Sequence, residues 1–188
     1  MEPLRKEKHF VYADYRTWND ARYELTEGVS YIMSPSPTWR HQGILFELAG
    51  QFRNFLKGAS CKAFTAPFDV RLNADAGDDT VLQPDIVVIC DRSKLSDTGC
   101  VGAPDMVIEI ISPSTAARDK VLKFNLYLCA GVREYWIVDP ETKTVAVHVL
   151  KDGEYITHAY EETDTVSVHV LEGCMITLPD VFGAVEFS

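Results

Sequence analysis

Two apolar runs dominate the pattern of the chain: Pro84-Asp85-Ile86-Val87-Val88-Ile89-Cys90 and Pro104-Asp105-Met106-Val107-Ile108-Glu109-Ile110-Ile111. Both are short, rich in β-branched residues and bounded by breakers, which predicts buried β-strands. Glu134-Tyr135-Trp136-Ile137-Val138 reads the same way and is closed by Asp139-Pro140. Elsewhere the period lengthens. From the capping residue Thr38 to about Lys57, Ile44, Leu45, Leu48, Phe52, Phe55 and Leu56 recur every three or four positions, which predicts an α-helix. A second helix is expected over about Thr115 to Ala130, with Val121, Phe124 and Leu128 as its core stripe and Gly131 as its stop. A short helix is expected from Asp14 to Asp20. Arg22–Leu25 and Val29–Met33 read as a hairpin around Thr26-Glu27-Gly28, and Ser34-Pro35-Ser36-Pro37 breaks the pattern after it. Cys61–Thr65 and Phe68–Leu72 add two strands. From Thr144 to Leu178 apolar and polar residues alternate, as in an antiparallel meander with a turn at Lys151-Asp152-Gly153. The order of elements predicts an α/β fold: a mixed β-sheet flanked by helices, with an antiparallel β-meander near the C-terminus.

Two acids interrupt this pattern. Asp85 opens one buried strand and Glu109 lies inside another. A carboxylate in such a place is costly unless it is paired or binds a cation. Two of them on strands that can be neighbours point to a cation site. On the helix that follows, Asp119, Lys123 and Tyr127 recur every fourth residue and share a face that can lie over the strand ends. Two acids and a lysine can bind a divalent metal and stabilise a phosphate oxyanion. His41 begins the long helix and leans toward the core side. Asp75, Asp78 and Asp79 lack the ligand spacing of a calcium loop and read as a solvated turn. His148, His158 and His169 show no metal spacing.

Composition narrows the picture. At 188 residues and 46% apolar, the chain is expected to form one domain, residues 1–188, with 144–178 as its β-meander. No apolar stretch approaches the roughly 18 residues of a membrane span. The charged N-terminus carries no signal region, so a cytoplasmic location is expected. The five cysteines form no Cys-x-x-Cys pair and are expected as reduced, mostly buried thiols. The net charge of -10 argues against a basic nucleic-acid coat protein. It leaves room for a nuclease, because a metal site needs carboxylates and a local basic rim can sit on an acidic body. No Gly-x-Ser-x-Gly elbow or phosphate-cradling glycine loop is present.

Eight segments recur in one order: Tyr23-Glu24-Leu25 with Gly28, Met33-Ser34-Pro35, His41-x-x-Ile44, Ala66-Pro67-Phe68-Asp69-Val70, Gln83-Pro84-Asp85, Glu109-x-x-Ser112-Pro113-Ser114-Thr115, Lys123-x-x-x-Tyr127, and Gly131-Val132-x-Glu134-Tyr135-Trp136-x-Val138-Asp139-Pro140. Together they closely resemble the Uma-two family of putative restriction endonucleases, over roughly residues 14 to 180. That family resembles the PD-(D/E)XK nuclease superfamily. The resemblance implies a restriction-endonuclease-like sheet and a magnesium-dependent phosphodiesterase site, with manganese as the substitute ion.

Carried over by position, Asp85 and Glu109 are metal ligands, joined by the carbonyl of Ile110. The superfamily lysine usually follows the second acid by two residues, where this chain has Ile111. The resemblance places it instead at Lys123, whose long stem can return the ammonium to the same point. It adds Glu24 and His41 as catalytic candidates, Glu24 as base or indirect metal ligand and His41 as a donor to phosphate or a support for Glu24. Gln83, Lys123 and Tyr127 are the candidate substrate contacts. The implied partner is nucleic acid, DNA first, with a homodimer suited to cutting both strands. The acidic body and the displaced lysine keep a second reading open: a catalytically inactive nuclease fold used for binding or assembly.

Overall fold

The structure, a computed structural model, describes residues 8–18, 23–33, 37–112 and 116–186. The expected break at Ser34-Pro35-Ser36, the Pro113-Ser114-Thr115 segment, the charged 1–7 stretch and the residues 19–22 lie outside that set. Among the described residues no helix is long and apolar enough to cross a membrane.

The strands form two six-stranded sheets and a small ribbon. The central sheet contains β3 (Lys62–Thr65), β6 (Ile86–Ile89), β9 (Met106–Ile110), β10 (Glu134–Asp139), β11 (Thr144–Lys151) and β12 (Glu154–Glu161), in the spatial order β12-β11-β10-β9-β6-β3. Only β9 and β10 run parallel within it. A parallel neighbour requires a long crossover. Here that crossover carries a π-helical turn, Arg118–Lys123, and the helix α3, Phe124–Ala130, which ends on Gly131 in the left-handed conformation.

The second sheet is built from β1 (Tyr23–Thr26), β2 (Val29–Ile32), β4 (Asp69–Arg71), β5 (Val81–Leu82), β7 (Leu95–Ser96) and β8 (Gly99–Val101). The β1–β2 turn pairs Thr26 with Val29 across Glu27 and Gly28, both at positive φ, as a tight two-residue hairpin requires. The ribbon joins β13 (Thr165–Ser167) to β14 (Met175–Thr177). The tail is therefore less continuous than the expected meander: β11 and β12 extend the central sheet, and the chain then folds back.

Alternation along the central strands divides the core. Ile86, Val88, Met106, Ile108, Ile110, Trp136 and Val138 face the long helix α2, Trp39–Phe55, and meet Ile44, Leu48 and Phe52. Helix α4, Leu178–Gly183, and the ribbon close the same layer. Val87, Ile89, Val107, Ile111, Tyr135 and Ile137 face the other way, toward α3 and the second sheet. Thr38 caps α2 by accepting the His41 amide at 3.3 Å.

The helix expected over Asp14–Asp20 is instead a single turn, α1, Tyr12–Tyr15, and Asn19 and Asp20 lie outside the described residues. Two further expectations are corrected. Val121 is 62% exposed, and the buried face of its segment carries Asp119, Lys123 and Tyr127. The π turn changes the phase of the helix, so a stripe read at 3.6 residues per turn falls on the wrong side. Cys61 and Cys90 are joined in a disulfide, not left as thiols. They are thrown together because Lys62 pairs with Ile89 in antiparallel register, which sets the flanking cysteines opposite one another. Cys100 and Cys174 are buried free thiols, and Cys129 is exposed.

Candidate active site

Register builds the site. Ile86 pairs with Ile108 and Val87 with Val107, so one step further along the ladder Asp85 stands opposite Glu109. Alternation turns both acids to the α3 side of the sheet. The Ile110 amide donates to Asp85 Oδ2 at 2.8 Å. His41 Nε2 lies 3.2 Å from the same oxygen. Thus α2, which packs on the opposite face, reaches the site only through its first turn. The side chains of Asp85 and His41 remain 17% and 14% exposed.

Glu109 is buried and bound through Oε1, which accepts from Lys123 Nζ at 2.7 Å and from the Tyr127 hydroxyl at 2.9 Å. Lys123 also meets Glu24 Oε1 at 3.0 Å and Asp119 Oδ1 at 3.5 Å. Glu24 comes from β1 in the second sheet. Its Oε1 accepts the Gln83 amide at 3.0 Å, and its Oε2 meets Arg118 at 3.0 Å. Arg118 in turn stacks over Tyr31, 4.4 Å from the ring centroid. The network closes the gap between the two sheets.

The charges do not compensate one another evenly. Burial works against the ammonium of Lys123, but Glu109, Glu24 and Asp119 outweigh it and hold the group protonated, above its ordinary range. Burial also opposes ionisation of Glu24, yet Lys123 and Arg118 prevail and hold its carboxyl below the usual range. Glu109 goes the other way. Burial pushes it well above the carboxylate range; Lys123 pulls it down, while Asp119, Asp85 and Glu24 push it further up. Glu109 is the acid whose charge the protein leaves short of positive partners.

This arrangement departs from the expected roles in four places. Tyr127 is fully buried, so its hydroxyl orients Glu109 and does not meet substrate. His41 supports Asp85, not Glu24. Glu24 has both oxygens committed to cations and an amide, the contacts of a counter-ion and not of a free base. Gln83 donates through Nε2 to the Tyr15 hydroxyl at 3.0 Å and to Asp69 Oδ1 at 2.9 Å. Ile110 meets Asp85 through its amide. Arg118 was not anticipated; its signal was one position away, next to Asp119 on the same helical turn.

Among the described residues, no group of three or more His, Cys, Asp or Glu side chains converges on a point a metal could occupy. The donors that fit are two. Asp85 and Glu109 each commit one oxygen to the protein, leaving Asp85 Oδ1 and Glu109 Oε2 without a protein hydrogen bond among the described residues. Two carboxylate oxygens with water in the other positions is the kind of set Mg²⁺ accepts.

Residues 12–179 match the sequence profile of the Uma2 family, described as putative restriction endonuclease. An uncharacterized protein of Synechocystis is 25% identical over 160 residues, which is 82% of each chain. The crystal structure of a putative nuclease of DUF820 from Anabaena variabilis shares the fold, with a TM-score of 0.75 at 22% identity, covering 93% of this chain and 98% of that one.

Proposed function

The chain belongs to the Uma2 family, and from that premise we propose that it is a divalent-metal-dependent endonuclease that hydrolyses phosphodiester bonds in DNA. One observation carries the proposal: Asp85 and Glu109 face each other across β6 and β9, each with one oxygen fixed by the protein and one left over. These two acids would hold Mg²⁺ or Mn²⁺. When bound, the ion supplies Lewis acidity toward the phosphoryl oxygens and lowers the pKa of a coordinated water.

The chain's own residues hold the geometry. The Ile110 amide and His41 fix the rotamer of Asp85. Tyr127 and Lys123 fix Glu109. Lys123 places a preorganised positive charge behind the acids, in a region of low dielectric where such a charge is most effective. Glu24 and Asp119 hold that ammonium in place.

A specific observation favours the alternative of a nuclease fold that binds without turnover. Lys123 is 5% exposed and already surrounded by three carboxylates, so its ammonium has no open path to a phosphate. Two measurements separate the readings. Calorimetric titration with Mn²⁺ is expected to show uptake that disappears in Asp85→Ala, and supercoiled plasmid is expected to be nicked in Mg²⁺ but not in EDTA. No uptake and intact plasmid moves the assignment to the binding module.

A further inference from the structure

At one edge of the central sheet lies a groove of about 770 Å³, walled by the C-terminal end of α2 and by the edge strand β3. None of its lining residues is acidic, although the chain carries a net charge of -10. Three of them are cations, Arg53, Lys57 and Lys62, and all three are exposed. None forms an ion pair among the described residues, a state they share with Lys8, Arg16, Arg40, Arg92, Lys94 and Lys151. Lys62 spends one proton on the Ala59 carbonyl at 2.9 Å and keeps the others.

The floor is apolar. Phe64 and Phe68 lie there with rings stacked 4.7 Å apart and 7° from parallel. A cationic rim over an aromatic floor is the chemistry that grips single strands: phosphates meet the cations and unpaired bases stack on the rings. A duplex keeps its bases paired and makes no use of such a floor.

The groove runs along the β3 edge as far as the main chain of Asp85. Ile86, the residue after Asp85, lines it, and Ala66, between the lining residues Thr65 and Pro67, donates its amide to the Asp85 carbonyl at 3.1 Å. We propose that this groove is a track for single-stranded DNA that leads the backbone around the β3 edge toward Asp85. The inference rests on the phosphodiesterase reading above and names the form of its substrate.

Fluorescence anisotropy of a fluorescein-labelled oligo-deoxythymidine, in EDTA, reads binding without cleavage. Wild-type protein is expected to bind. The exposed triple variant Arg53→Gln/Lys57→Gln/Lys62→Gln is expected to bind roughly tenfold more weakly at low salt. Its slope of log affinity against log salt is expected to be shallower by about 2, from three phosphate contacts at about 0.7 each. Phe64→Leu is expected to weaken binding and leave the salt slope unchanged, because a stacking ring carries no charge. A thermal melt checks that each variant is folded.

No binding by the wild type overturns the proposal. Unchanged affinity and slope in the triple variant also overturn it, as does a triple variant that loses duplex binding while keeping the single strand. The two readings fail separately. Binding in EDTA without cleavage in Mg²⁺ keeps the track and removes the nuclease. Cleavage in Mg²⁺ with unaltered binding and cleavage by the triple variant keeps the nuclease and removes the track.

Discussion

The two faces of the central sheet are made by the same strands and do different work. On the α2 face, Ile86, Val88, Met106, Ile108 and Ile110 pack on Ile44, Leu48 and Phe52. That face has a buried acid, Glu134, but neutral donors settle it: Trp136 Nε1 at 2.7 Å and the Val170 amide at 2.9 Å. On the other face, one residue out of phase, Asp85 and Glu109 meet Lys123, Tyr127 and His41. A period of two lets one strand build a core with alternate residues and a charged site with the rest. The first face draws its stability from apolar burial; the second spends stability on charges that are costly to bury.

Breaking the charged face at its acids is expected to have the largest effect. Asp85→Ala or Glu109→Ala should lower metal-dependent cleavage by about 10³-fold or more, the scale of the several kcal/mol a catalytic metal contributes. Single-turnover plasmid cleavage measures it.

The next test separates stability from chemistry. Lys123→Met leaves Glu24, Glu109 and Asp119 buried without their shared cation, and should cost about 3–5 kcal/mol in urea unfolding. On the opposite face Leu48→Ala should cost a comparable 2–5 kcal/mol, roughly, by leaving a cavity. The two variants differ in what relieves them. Adding Glu109→Gln to Lys123→Met should recover part of the loss, while adding it to Leu48→Ala should recover nothing.

Smaller still is the effect of His41→Phe, which frees Asp85 Oδ2 from one partner and should reduce cleavage by about 10–100-fold with the melt little changed. A pH effect lies outside the site. His148 is packed among Phe124, Tyr135 and Tyr155, and burial pushes its imidazole down to about 4. The unfolded chain takes up this proton near the ordinary value of 6.5, before the folded chain does. The contribution is therefore fully present above pH 6.5 and is lost as pH falls toward 4, at about 1 kcal/mol per pH unit. Urea unfolding of wild type and His148→Asn should diverge across that window and run parallel above it.

Much of this was legible in the chain. The runs around 86–89 and 106–110 carry enough β-branched residues to declare themselves, and the ladder then sets Asp85 against Glu109. The common face of Asp119, Lys123 and Tyr127 was legible from spacing alone. Its burial was not, because charged residues at helical spacing are ordinarily solvated and the π turn hid the phase. Strands β5, β7 and β8, of two or three residues, are too short to show a period; they exist because neighbouring strands pair with them. The Cys61–Cys90 bridge spans 29 residues and becomes visible only once β3 and β6 are in register. Helix α4 begins at Leu178 with Pro179 in its first turn, where an alternating reading carries the strand to Leu178 and stops.

The proposed cleavage depends on the Asp85–Glu109 pair being a working metal site. The most direct measurement incubates supercoiled plasmid with wild-type protein and with Asp85→Ala, in Mg²⁺ and in EDTA, after confirming by circular dichroism that both are folded. Nicked and linear plasmid are expected only with wild type in Mg²⁺, as a working site there requires. Equal metal-dependent cleavage by Asp85→Ala contradicts it.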